Sequence, residues 1–181
     1  MPALLSWTDA YIGVGANVGD RASQIDRALV RLDAAAGVSV QAVSSAYESE
    51  AHRRPGQHAV PRFRNGVVHV RTTRSPLALL TLTQHLEYRA GRRPAARWAP
   101  RPLDLDLLVM GEASVATERL TLPHPRLHER HFVLRPWAEL APNLWVPRPF
   151  DATVHALLQG CTDAHALHRT PAPLAPSLFP T

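Results

Sequence analysis

Asp104 and Asp106 stand two residues apart, directly behind the run Arg92-Arg93-Pro94-Ala95-Ala96-Arg97-Trp98-Ala99-Pro100-Arg101-Pro102. On a strand, alternation puts the two carboxylates on one face, about 7 Å apart along the backbone. Leu103, Leu105 and Leu107 then point the other way, into a core. Paired carboxylates on a rigid strand suit a hard cation such as Mg²⁺. Arginines beside them suit the phosphates that such cations accompany. The chemistry these residues could perform is metal-assisted phosphoryl or pyrophosphoryl transfer. An Asp-x-Asp by itself is a weak motif, common on the wet face of an edge strand. The arginine and tryptophan prefix is what gives it weight.

The elements that must hold this strand are legible from period and punctuation. Residues 10–16 read as a buried strand and Asn17–Arg21 as a turn. Residues 22–36 read as a helix with Ile25, Ala28, Leu29 and Leu32 on one face, ended by Gly37. A second strand is expected from Val38 to Tyr47, a loop over 48–61 and a third strand over 62–72. Ser75-Pro76 opens a second helix, which runs to Gly91. An Arg- and Pro-rich loop over 92–102 leads into the Asp-bearing strand, 103–110. A short strand at 120–122, a short helix within 131–141 and a final helix over 151–160 follow. The order strand-helix-strand-strand-helix-strand predicts an α+β, ferredoxin-like βαββαβ core. Its sheet is antiparallel and it carries additional C-terminal helices. Length and patterning predict a single domain over 1–160 and a disordered Pro-rich tail over 161–181.

Bulk properties narrow the class. The chain has 181 residues, 45% of them hydrophobic, which is enough for a substantial core. Its single cysteine, Cys161, excludes an internal disulfide and points to a reducing compartment. No stretch has the length of a membrane span and no signal peptide is evident, so the cytoplasm is expected. The net charge is +5, and all 20 basic residues are arginine. Between Arg53 and Arg101 there are eleven arginines and one acid, Glu87, an asymmetry that points to an anionic partner. Glu87 is expected to pair with one of them.

Several motifs, in order, resemble the 6-hydroxymethyl-7,8-dihydropterin pyrophosphokinase family of folate biosynthesis. They are Tyr11-Ile12-Gly13-Val14-Gly15-Ala16-Asn17 and Val43-Ser44-Ser45-Ala46-Tyr47, then Phe63-Arg64-Asn65. Gly91-Arg92 and Arg97-Trp98-Ala99-Pro100-Arg101-Pro102-Leu103-Asp104-Leu105-Asp106 follow, and then Leu122-Pro123-His124-Pro125-Arg126 through Leu134. The resemblance covers about residues 10–147. It implies diphosphate transfer from ATP to the hydroxymethyl group of the pterin, with AMP released and two Mg²⁺ ions held by Asp104 and Asp106. It implies that Arg92 and Arg101 act in catalysis and bind phosphate, with Trp98 on a loop that closes over the site. Phe63 and Phe132 would stack on the pterin, with Asn65 and Ser49 also in its subsite. Leu107, Arg119, Thr121, His124 and Arg130 would line the ATP site, with Leu107 against adenine. The implied partners are ATP and the pterin, with no nucleic acid or membrane, and a monomer is expected.

The chain departs from the family pattern in places. Ser49-Glu50-Ala51-His52-Arg53 stands where the family usually has Thr, Pro, an apolar residue and Gly. Pro94 replaces an arginine, Pro102 a threonine, and Arg64 an apolar residue. Altered lid motion and shifted pterin affinity are expected from this. The rival readings are a nucleotide-sugar glycosyltransferase using Asp-x-Asp, an RNA-binding module, and a degenerate family member that binds ATP or RNA without pterin turnover. Zinc at His124, His128 and His131 lacks a supporting cysteine pattern.

Overall fold

The computed structural model describes residues 6–50, 61–94 and 99–179. β1 (Thr8–Ala16) leads through a turn to α1 (Arg21–Asp33). The Asp20 side chain caps α1 by accepting from Ser23 N. β2 (Val38–Val43), β3 (Ser45–Ser49) and β4 (Phe63–Thr72) follow. α2 (Pro76–Arg89) starts as its sequence predicts, with Ser75 at the cap and Pro76 in the first turn. β5 (Asp104–Met110) carries the two carboxylates.

The main sheet runs β10 (Leu167–Pro173), β3, β4, β1, β5, with β2 also paired to β4, and every strand pair among the described residues is antiparallel. One face is covered by α1 and α2. There Ile25, Leu29 and Leu32, with Leu79 and Leu86, pack on Ile12, Val14, Val68 and Val70. Leu103, Leu105 and Leu107 join this core, as alternation requires.

Beyond β5 come the hairpin of β6 (Val115–Ala116) and β7 (Thr121–Leu122), then a 3₁₀ turn at Leu127–Glu129. α3 (His131–Leu140), β8 (Trp145–Val146), β9 (Ala152–Thr153) and α4 (Val154–Gly160) follow. α3 covers the sheet's second face, and α4 packs on α3. Val133, Leu134 and Trp137 pack there on Tyr11, Val67 and Leu108.

Two expectations are corrected. The single strand expected over Val38–Tyr47 breaks at Ser44. Its hydroxyl accepts from Val67 N at 2.9 Å, so a side chain replaces one rung of the backbone ladder. The tail expected to be disordered over 161–181 instead supplies β10 (Leu167–Pro173), paired with β3. Pro171 and Pro173 argued for disorder by composition. An edge strand tolerates proline, because an absent N–H there breaks no interior ladder. The irregular register between Arg169 and Pro173 marks where the ladder yields to them.

Candidate active site

The site is built on the middle of the sheet, where β1 offers glycine opposite each acid. Gly13 pairs with Asp106 and Gly15 with Asp104. With no side chain at these two positions, the floor lies open at backbone level. A Cβ on Gly15 would stand 3.1 Å from Asn65 Oδ1. Over this floor lies a cavity of about 170 Å³, walled by Phe63 and Asn65 of β4, Ser49 of β3, and Arg130 and Phe132 at the start of α3. Arg101, Asp104 and Asp106 complete the wall on the β5 side.

Both carboxylates are held by guanidinium. Arg101 donates to both oxygens of Asp104 at 2.8 Å, and Arg92 to Oδ1 at 2.6 Å. Arg130 donates to Asp106 Oδ2 at 2.7 Å, with His124 Nε2 4.0 Å from the same oxygen. Asp104 and Asp106 keep 19% and 34% of their side-chain surface exposed. Among the described residues, no group of three His, Cys, Asp or Glu is placed to hold a metal. Mg²⁺ does not require one. It is usually bound through one or two carboxylates, with water and phosphate oxygens filling the rest of its shell. The donor set therefore fits that cation.

Glu87 of α2 ties the site together from behind. It pairs with Arg92, as expected from its isolation among arginines, and accepts from Leu105 N at 2.8 Å. One buried carboxylate thus fixes both a phosphate-type arginine and the strand between the two acids. Burial pushes its pKa up from 4.5 to about 7, against the opposing pull of the Leu105 amide and of Arg92. A carboxyl whose folded pKa is raised holds its proton more tightly folded than unfolded. Its contribution to stability is complete below about 4.5 and is lost as pH rises through about 7. We therefore expect stability to decline across that window and Glu87→Gln to remove this part of the decline. Chemical denaturation of both proteins at several pH values checks it.

Asn17 is a second support that the motif reading quoted without a role. It is buried at the end of β1. Its Oδ1 accepts from Arg101 N at 2.7 Å, and its backbone N–H donates to Arg101 O at 3.0 Å. Both contacts join positions 84 residues apart, so no local pattern could show them. Asn17→Ala should lower turnover about tenfold by loosening Arg101, at the cost of roughly 1–3 kcal/mol in stability for the unpaired amide. Steady-state rates beside melting curves separate the two effects.

On the β3–β4 side of the cavity, Asn65 is almost fully buried and donates to Ser49 Oγ at 2.8 Å, while its Oδ1 faces Gly15. His124 accepts at Nδ1 from Arg126 N at 3.1 Å, so in its neutral form the proton sits on Nε2, on the Asp106 side. Burial lowers its pKa, which favours that neutral form. Arg126 also lines the cavity and is steadied by Glu129 at 3.0 Å. Sequence reasoning gave it no role, although it lies inside a quoted motif.

The structure does not bring every expected residue to the cavity. The Leu107 side chain is 3% exposed within the helix-side core, so alternation leaves any adenine contact to its backbone. Arg119 and Thr121 are exposed at the β6–β7 hairpin, outside the cavity lining. Trp98 and residues 51–53 of the divergent loop lie outside the described residues.

A sheet that presents two carboxylates and several arginines beside aromatic walls defines a phosphate-handling transferase. Comparison with known proteins gives the family. The profile of 7,8-dihydro-6-hydroxymethylpterin-pyrophosphokinase (HPPK) matches residues 11–142. A 2-amino-4-hydroxy-6-hydroxymethyldihydropteridine pyrophosphokinase of Bacillus subtilis is 42% identical over 131 residues, 72% of this chain and 77% of that protein. One from Synechocystis is 37% identical over 150 residues, 83% of this chain and 74% of that protein. Among solved structures, Plasmodium falciparum HPPK-DHPS superposes with a TM-score of 0.64 at 13% identity. That match covers 88% of this chain and only 45% of the solved one, and it bears on the fold alone. The chain belongs to the HPPK family.

Proposed function

We propose that the protein transfers a diphosphate from ATP to the hydroxymethyl group of 6-hydroxymethyl-7,8-dihydropterin, releasing AMP, as a step of folate biosynthesis. The observation that carries this reading is the sharing of one cavity by Asp104 and Asp106 with Phe63, Asn65 and Phe132. A phosphate-handling face and a flat, polar-edged subsite then meet where a hydroxyl could reach a phosphorus.

Asp104 and Asp106 would hold Mg²⁺, two ions in our reading, which when bound neutralises phosphate charge and lowers the pKa of the attacking hydroxyl. Arg92, Arg101 and Arg130 are the cations available to orient phosphate oxygens, and planar guanidinium suits that task. His124, neutral and protonated on Nε2, adds a donor on the Asp106 side. Phe63 and Phe132 supply apolar faces for the pterin ring, and Asn65 supplies paired donor and acceptor for its amide-like edge. Arg119, Thr121 and the Leu107 backbone fall to the ATP subsite, and Trp98 to its closure. We read the sheet order as that of a ferredoxin-like core. No helix among the described residues is long and apolar enough to cross a membrane. On this reading the protein is a cytoplasmic monomer working on ATP and pterin, without nucleic acid. A family member that binds ATP or RNA without pterin turnover is not favoured, because Phe63, Asn65 and Phe132 line the same cavity as the two carboxylates.

Fluorescence titration with 6-hydroxymethylpterin, in Mg²⁺ and a non-hydrolysable ATP analogue, tests the subsite directly. Saturable binding that is lost in Asn65→Leu is expected. No binding to the unmodified chain would contradict the proposal.

A further inference from the structure

Ser49, the last residue of β3, is flanked by Phe63 of β4 on one side and Leu167 of β10 on the other. It is also the residue whose hydroxyl holds the Asn65 amide. β10 therefore makes β3 an interior strand where it meets the pterin subsite. Without β10, β3 would be a sheet edge, with Ser49 at its fraying end.

The segment is anchored at several further points. Arg64 lies between Phe63 and Asn65, and alternation sends its side chain to the opposite face of β4. It is 7% exposed, and its guanidinium donates to Pro173 O at 2.7 Å, Ala172 O at 3.2 Å and Thr170 Oγ1 at 3.4 Å. A buried guanidinium needs acceptors, and the C-terminal segment brings three. Leu174 then fills the space left by the missing side chain of Gly66, where a Cβ would stand 2.2 Å from Leu174 Cδ2. Further on, Ser177 N and Oγ donate to the Asp26 carboxylate of α1 at 2.9 and 2.6 Å. The strap residues in these contacts all lie beyond residue 142, where the family match ends, and their partners lie within it.

We propose that residues 167–178 form a strap that positions the pterin subsite, with Arg64 as its anchor and a positioning residue for pterin binding. The inference rests on the pterin reading of the cleft. Arg64 touches no reacting atom. It acts by holding the strap against β3 and β4, and so fixes Ser49, Asn65 and Phe63 relative to one another. The ATP half lies on β5 and at the start of α3, whereas the strap meets α3 near its C-terminal end, where Arg169 Nε is 3.6 Å from Glu139.

The test uses full-length Arg64→Met, Arg64→Lys and the milder Leu174→Ala. KM for pterin, KM for ATP and kcat are measured beside amide hydrogen exchange at Ser45–Ser49. Arg64→Met and Leu174→Ala should raise the pterin KM about tenfold, the scale expected when binding groups are displaced by a fraction of an ångström. Values of kcat and ATP KM should stay within about twofold. Exchange at Ser45–Ser49 should quicken, and Arg64→Lys should recover part of both effects. An unchanged pterin KM, or equal damage to ATP KM and kcat, would overturn the proposal. An unmodified chain inert toward pterin would refute the function proposed above. The strap would then stand or fall on exchange alone, and Ser45–Ser49 amides no faster in Arg64→Met would overturn it.

Discussion

Asp106→Ala is expected to reduce turnover by about three orders of magnitude and to leave the fold in place. The two effects separate because of where Asp106 sits. Its side chain is one-third exposed and pairs with Arg130, so its loss removes a partly solvated ion pair. Such pairs contribute about 1 kcal/mol or less. The glycine opposite it and the leucines on either side keep β5 in register. In our reading the same carboxylate, with Asp104, would hold Mg²⁺ over the cavity floor, so its loss should fall almost entirely on the chemistry. Melting temperature and rate, measured on one preparation, check this. Near-normal turnover would remove Asp106 from the metal site.

Arg101→Ala is expected to lower kcat by about a hundredfold while changing the pterin KM little. Arg101 meets both oxygens of Asp104, and its backbone is clamped by Asn17, so its guanidinium is pre-oriented at the metal face. Arg101→Lys should recover only part of the loss, because an ammonium keeps the charge but not the two-pronged geometry. Single-turnover rates with saturating ATP separate this effect from weakened nucleotide binding. Full recovery by lysine would mean that charge alone matters at this position.

What the sequence revealed was what repeats or alternates locally. The two-residue period of β5 placed Asp104 and Asp106 on one face and three leucines in the core, and the structure agrees. Ser75-Pro76 announced α2 because a cap is a short-range signal. The supports of the site were hidden for the opposite reason. Asn17 reaches Arg101, Glu87 reaches the Leu105 amide, and Arg64 reaches Pro173 across 109 residues. No periodicity encodes such pairings. The tail reads as disordered because four prolines outweigh Leu174, whose burial depends on a hole at Gly66 on a distant strand. Leu107 turns its side chain into the helix-side core, as alternation around Asp106 requires, which leaves its backbone to face the site.

The central claim is pyrophosphoryl transfer to a pterin, and nucleotide product analysis tests it most directly. With ATP, Mg²⁺ and 6-hydroxymethyl-7,8-dihydropterin, the account predicts AMP appearing in equal amount with pterin diphosphate, and neither product without Mg²⁺. ADP in place of AMP, or no nucleotide product while pterin and ATP both bind, would contradict it.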